Sequence, residues 1–187
     1  MSTPPLLTNE EVAALVAGRP ITHRAPWADD AAAVDAWLAQ ACAAIEQATG
    51  AQSRITWDDY GSGHASFVDA WFYLPRSGQP AREEQSHTGL VVLLSRLAPY
   101  FVFMEGGKIW HAQGGSSYLP CFDMVDQLTS DSVIGMAAVA QEVLERRGLQ
   151  RASGAALAMP VAQEIAVPTI LTDPPYRQFD ALFYWED

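Results

Sequence analysis

The sequence predicts an α+β fold: a mainly antiparallel sheet of about five to six strands, with two N-terminal helices and one late helix packed on one face. Three observations predict it. Two segments near the N-terminus and one after residue 130 repeat apolar residues every three or four positions, the spacing of a helix with one buried side. Between them, residues 53 to 110 fall into short apolar runs with alternating faces, the period of strands. The order is then two helices, a run of strands, one helix and a last aromatic strand.

The chain has 187 residues, enough for one well-buried core and too few for two full domains, so a single domain over residues 1–187 is expected. Hydrophobic residues make up 49% and charged residues 18%, which excludes wholesale disorder. Residues 1–7 read as a loose tail. Thr8-Asn9-Glu10-Glu11 reads as a capping box, with Leu7 and Val12 as a hydrophobic staple, and the helix it starts stops at Gly18. A longer helix begins at Asp29 or Asp30 and ends at Gly50. Val34, Leu38, Ala41, Ile45 and Ala48 form its buried stripe, widened by Trp37.

Arg54 to Trp57 is a short strand. In the strand Phe67 to Leu74, Val68, Ala70, Phe72 and Leu74 make one face; Phe67, Asp69, Trp71 and Tyr73 make an aromatic face carrying one carboxylate. The polar segment 75–88 reads as an exposed loop. Gly89 to Ser95 is apolar on both faces and reads as the central strand. Gly106-Gly107 predicts a two-residue hairpin that places Lys108, the only lysine, opposite Glu105. Residues 112–128 read as irregular connection. The third helix runs from about Asp131 to Arg147, capped by Ser130 or Thr129, with Val133, Met136, Ala137, Ala140, Val143 and Leu144 inward and a Schellman ending at Gly148-Leu149. Phe179 to Trp185 is too aromatic for solvent and reads as a final strand docked in the sheet.

Asp and Glu number 22 against 11 Lys and Arg, a formal charge of −11. Binding to a nucleic-acid backbone needs clustered cations, so no nucleic-acid partner is expected; a basic protein surface is the better match. No apolar run approaches the roughly 18 residues of a membrane helix, and Met1-Ser-Thr-Pro-Pro has neither the basic nor the apolar region of a signal peptide. No membrane partner and a cytoplasmic location are therefore expected. Cys42 and Cys121 are the only cysteines and lack CxxC spacing, and the four histidines lack HxH or HExxH spacing, so no metal and no cofactor are expected.

Asp58-Asp59, next to Tyr60-Gly61-Ser62-Gly63-His64, is the densest polar cluster. It reads as a partner-contact loop, as a plain turn, or as a carboxylate–histidine set for acid–base work or a divalent ion. Glu83-Glu84 and the C-terminal Tyr184-Trp185-Glu186-Asp187 are further candidates, because aromatic anchors beside acids suit an interface that meets arginines and lysines. His111 with Cys121 is better read as a strand-end residue and a buried small hydrophobe than as a nucleophile pair. Gly114-Gly115-Ser116-Ser117 lacks the ending of a phosphate loop. Pro174-Pro175-Tyr176 reads as a rigid turn.

The segments YFVFMEGGKIW (residues 100–110) and PTILTDPPYRQFDALFYWED (residues 168–187) give the chain a resemblance to the small immunity proteins encoded beside bacterial polymorphic toxins. The likeness is one of style, acidic and compact with aromatic-rich strands and no catalytic motif, and covers the last half of the chain. It implies a cytoplasmic protein that binds a cognate toxin effector domain and blocks its active site. These families share no general binding motif, so no contact residue carries over. The alternatives are a small hydrolase or transferase using Asp58, Asp59, His64 or His111, and a structural or scaffold subunit.

Overall fold

The computed structural model describes residues 5–57, 63–75, 86–109 and 115–187. The chain enters α1 (Asn9–Val16) through the expected box: the Glu11 amide donates to the Thr8 hydroxyl at 3.2 Å and the Thr8 amide to the Glu11 carboxylate at 2.8 Å. Leu7 is not part of a loose tail. It is buried beside Val12, and both its backbone groups bond the side-chain amide of Gln178. Asp30 caps α2 (Ala31–Thr49) by accepting from the Ala33 amide at 2.8 Å, and Gly50, at φ 70°, ends it in the left-handed conformation. The buried stripe is Val34, Leu38, Ala41, Cys42 and Ile45; Ala48 lies outside it and is exposed.

The strands are β1 (Gln52–Thr56), β2 (His64–Ala65), β3 (Phe67–Tyr73), β4 (His87–Ser95), β5 (Tyr100–Ile109) and β6 (Ser116–Ser117). After them come α3 (Asp131–Arg146), β7 (Gln150–Arg151), the short helices α4 (Gly154–Leu157) and α5 (Gln178–Leu182), and β8 (Trp185–Glu186). The main sheet runs β1-β3-β4-β5-β6, with β7 parallel to β5 and every other pair antiparallel. The α+β expectation holds, and β4 is central. It begins two residues earlier than its apolar run, because His87 and Thr88 pair with Lys108 and Gly107.

No hairpin forms at Gly106-Gly107. β5 runs straight through both glycines, which pair with Gly89 and Thr88. The reason is close packing: a Cβ on Gly106 would overlap the Tyr118 ring, and one on Gly89 would overlap the Phe72 carbonyl and the Trp71 indole. Glu105 is consequently not paired with Lys108. It reaches the start of α3, where it accepts from the Thr129 and Ser130 amides at 2.7 and 2.9 Å and from both hydroxyls. The α3 stripe is buried as expected. Its end is a Schellman turn: Leu149 N–H donates to Leu144 O and Gly148 N–H to Glu145 O.

Helices cover both faces of the sheet. α2 and α3 pack over Val68, Ala70, Phe72, Leu90, Val92, Phe101 and Phe103. On the other face α1 joins α4, α5 and the segment 160–177 over Phe67, Trp71, Val91, Leu93, Val102 and Met104. The expectation that both N-terminal helices share one face therefore fails for α1, which packs against α5. The aromatic C-terminal run also departs from its expected form. Residues 178–182 are helical, and only Trp185–Glu186 is strand, paired with β2 outside the main sheet. A short run that is buried all round carries no periodicity to separate helix from strand. Asp180 tips the balance by accepting from the Arg177 amide at 2.7 Å, which stabilises the first turn.

Candidate functional site

The segment 160–180, punctuated by Pro160, Pro168, Pro174 and Pro175, is closed on itself and tied to its flanking residues by backbone hydrogen bonds. Val161 N–H donates to Tyr176 O at 2.9 Å, Gln178 N–H to Met159 O at 2.9 Å and Ile170 N–H to Trp185 O at 2.8 Å. Between this strap and the 3₁₀ turn Phe122–Met124 lies a cleft of about 490 Å³. Cys121, Phe122, Asp123, Asp173, Arg177 and Asp180 line it.

Three carboxylates and one guanidinium line the cleft, and two of the carboxylates, Asp123 and Asp180, are near that guanidinium. Arg177 lies 4.4 Å over the Phe122 ring, and its Nη1 is 3.7 Å from Asp123, whose side chain is 87% exposed; so open a pair holds little energy. Burial pushes the Asp180 carboxyl above its ordinary range, against the Arg177 amide and guanidinium that draw it down. Leu119 and Ile170, the chain neighbours of lining residues Pro120 and Leu171, are each 54% exposed. The arrangement is concave and mixed acidic and apolar, and Ile170 ties it to the C-terminal strand.

Of the C-terminal residues singled out by sequence, Asp187 is exposed and Trp185 and Glu186 are half-buried. β8 sits tightly on its neighbour: His64 pairs with Glu186, and a Cβ on Gly63 would overlap the Glu186 carbonyl. Tyr184 does not belong to a contact surface. It is buried, its hydroxyl donates to Leu15 O at 3.1 Å, and burial followed by the Glu186 charge pushes its pKa up to about 12. Asp58, Asp59, Glu83, Glu84 and His111 lie outside the described residues.

His64 is exposed and lines a smaller hollow of about 270 Å³ with Trp27, Asp30 and Arg96. Arg96 is committed to the fold, forking onto Asp35 of α2 at 2.9 and 3.2 Å and donating to Ala65 O at 3.1 Å. Cys42 is buried, and desolvation then the Glu46 charge push its thiol up to about 12; Cys121 is exposed, and both are free thiols. Among the described residues no three His, Cys, Asp or Glu side chains gather as a metal site, and no helix is long and apolar enough to cross a membrane.

A second polar cluster lies at the β6 corner of the sheet, on the face shared with α1. Asp69, 2% exposed, accepts from the Tyr118 hydroxyl at 2.6 Å. Trp71 stacks on Tyr73 at 4.7 Å and donates its indole N–H to Gly106 O at 2.9 Å. Lys108 Nζ stands 5.8 Å from the Trp71 centroid and 5.0 Å from that of Tyr118.

Sequence reasoning noticed the carboxylate on the aromatic face, Asp69, but not its partner. It missed Asp123, Asp173 and Asp180 altogether: they are single acids in segments without periodicity, and only the folded strap brings them together. Comparison with protein-family models, curated proteins and solved structures finds no match.

Proposed function

We propose that this chain is a binding protein of the immunity type, acting in the cytoplasm, which neutralises a basic toxin effector domain by covering it. The observation that carries the reading is the cleft beside the 3₁₀ turn. Three carboxylates and one guanidinium line a concavity flanked by exposed Leu119 and Ile170, and Ile170 bonds to the partly exposed C-terminal strand. In a chain of net charge −11 this suits an arginine or lysine side chain entering from a cationic partner, with apolar contact around it. Charge of this sign also accelerates encounter with such a partner.

The test is co-expression with the product of the neighbouring reading frame, followed by association kinetics. A stable complex is expected, with an association rate that falls about tenfold as salt rises from low to physiological levels. The double substitution Asp123→Asn with Asp173→Asn is expected to weaken binding about tenfold or more. Both residues lie away from the core, so the fold is retained. Unchanged affinity in that variant would remove the cleft from the interface, and failure to form any complex would remove the reading itself.

A further inference from the structure

We infer that the partner residue entering the cleft is an arginine, and that it takes the place on the Phe122 ring which Arg177 holds in the free protein. The inference rests on the binding reading above and names the side chain that the cleft selects. A guanidinium already sits there. Arg177 Cζ stands 4.4 Å over the Phe122 ring, and its Nη1 lies 3.7 Å from Asp123. The chain's own side chain thus marks out a subsite with a flat ring on one side and a carboxylate beside it. A planar guanidinium matches both at once, stacking on the ring while its fork of N–H donors meets a carboxylate. A lysine ammonium is a compact, strongly hydrated charge that gains less from a ring face and has no fork.

Arg177 is held on the ring loosely. A separation of 3.7 Å is beyond hydrogen-bond reach, and the two side chains of the pair are 46% and 87% exposed. The backbone is what fixes residue 177, because its amide donates to Asp180 Oδ2 at 2.7 Å. The guanidinium can therefore leave the ring without disturbing the start of α5. Among the described residues it is the only cation lining the cleft, against Asp123, Asp173 and Asp180. Asp180 is the most buried of these acids, 9% exposed, and its Oδ1 meets no donor among the described residues. That leaves one oxygen at depth for an incoming N–H.

The exchange replaces one guanidinium by another, so the ring and the acids keep a cation throughout while Arg177 moves into water. At about 490 Å³ the cleft is in the range of small-ligand sites, ample for one side chain. Leu119 and Ile170 at its flanks are exposed and give apolar contact to the residues around that arginine.

The test titrates the full isotope-labelled chain with Nα-acetyl-arginine methylamide and with its lysine counterpart, following the backbone amide shifts of the cleft residues. The arginine probe is expected to bind at least about threefold tighter than the lysine probe. Arg177→Gln keeps the backbone bond to Asp180 and vacates the ring, so it should tighten the arginine probe about fivefold. Arg146→Gln removes the same charge from the exposed face of α3 and should change that affinity less than about twofold. Phe122→Leu should abolish the preference for arginine and leave the lysine probe unaffected. Equal affinity for the two probes, no shift in the cleft with either, or Arg177→Gln binding no tighter than Arg146→Gln would overturn the inference. A complex with the neighbouring gene product that forms while the arginine probe leaves the cleft untouched would sink this inference alone. An arginine-selective cleft in a chain that captures no partner would instead sink the immunity reading.

Discussion

One face of the sheet is covered by two long helices, α2 and α3, which meet it chiefly through apolar side chains; the other is covered by three short helices and a proline-punctuated strap joined by polar contacts. On the first face burial is spread over many equivalent apolar residues, so no single polar bond decides its stability. On the second, particular hydrogen bonds make the joins: Gln178 to Leu7, Tyr184 to Leu15, Ser66 to Leu182, Tyr118 to Asp69. Each satisfies polar groups held at or near the core. The candidate cleft and the Asp69–Tyr118 corner both belong to this second face. Irregular cover leaves concavities and places polar groups at depth, whereas regular helix packing closes its surface.

The largest effect is expected on the helix-covered face. Phe101 is fully buried there and lies 5.1 Å from the Phe103 ring. Phe101→Ala should lower unfolding stability by about 3–5 kcal/mol, seen as a lower urea midpoint with unchanged slope. Because both faces share one sheet, the loss should register equally in amide protection on either side. Loss confined to α2 and α3 would break the view that the sheet unfolds as one unit.

The strap-covered face should behave differently. Gln178 is 4% exposed, and its amide donates to Leu7 O at 2.7 Å and accepts from Leu7 N at 3.0 Å. Gln178→Ala strands both Leu7 backbone groups and should cost about 2 kcal/mol. Hydrogen exchange should quicken in α1 and α5 ahead of β4. Uniform quickening across the sheet would count against the distinction between the two faces.

That contrast also explains what could be read without a structure. The α3 stripe, its Schellman ending, the Thr8 box and the central place of β4 follow from periodicity and from signals a few residues wide. Gly106-Gly107 misled because two glycines serve a turn and a close ring approach equally well, and the ring that decides, Tyr118, lies eleven residues beyond Gly107. The helical α5 was illegible because its apolar residues are buried on every side. The cleft was illegible because Asp123, Asp173 and Asp180 are brought together only by the path of the strap, which no local pattern encodes.

The smallest effect joins the two principles, since it concerns a polar contact on the regular face. No side chain of Ser130 caps α3; the cap comes from Glu105, one strand away. Partial burial raises the Glu105 carboxyl, but hydrogen bonds from Ser130 and then Thr129 outweigh it, and the group is held below the ordinary value of 4.5. A carboxylate at a helix N-terminus is also favoured by the dipole's positive end. Glu105→Ala should therefore cost about 1–2 kcal/mol at neutral pH. The sign of the pH dependence follows from the lowered folded-state pKa. The contribution is complete above the unfolded value of 4.5 and is lost as pH falls through the folded one. Urea midpoints of the two proteins should thus be well separated at pH 7 and converge below pH 4.5. A separation that persists undiminished in acid would mean that Glu105 supports α3 by packing and not by its charge.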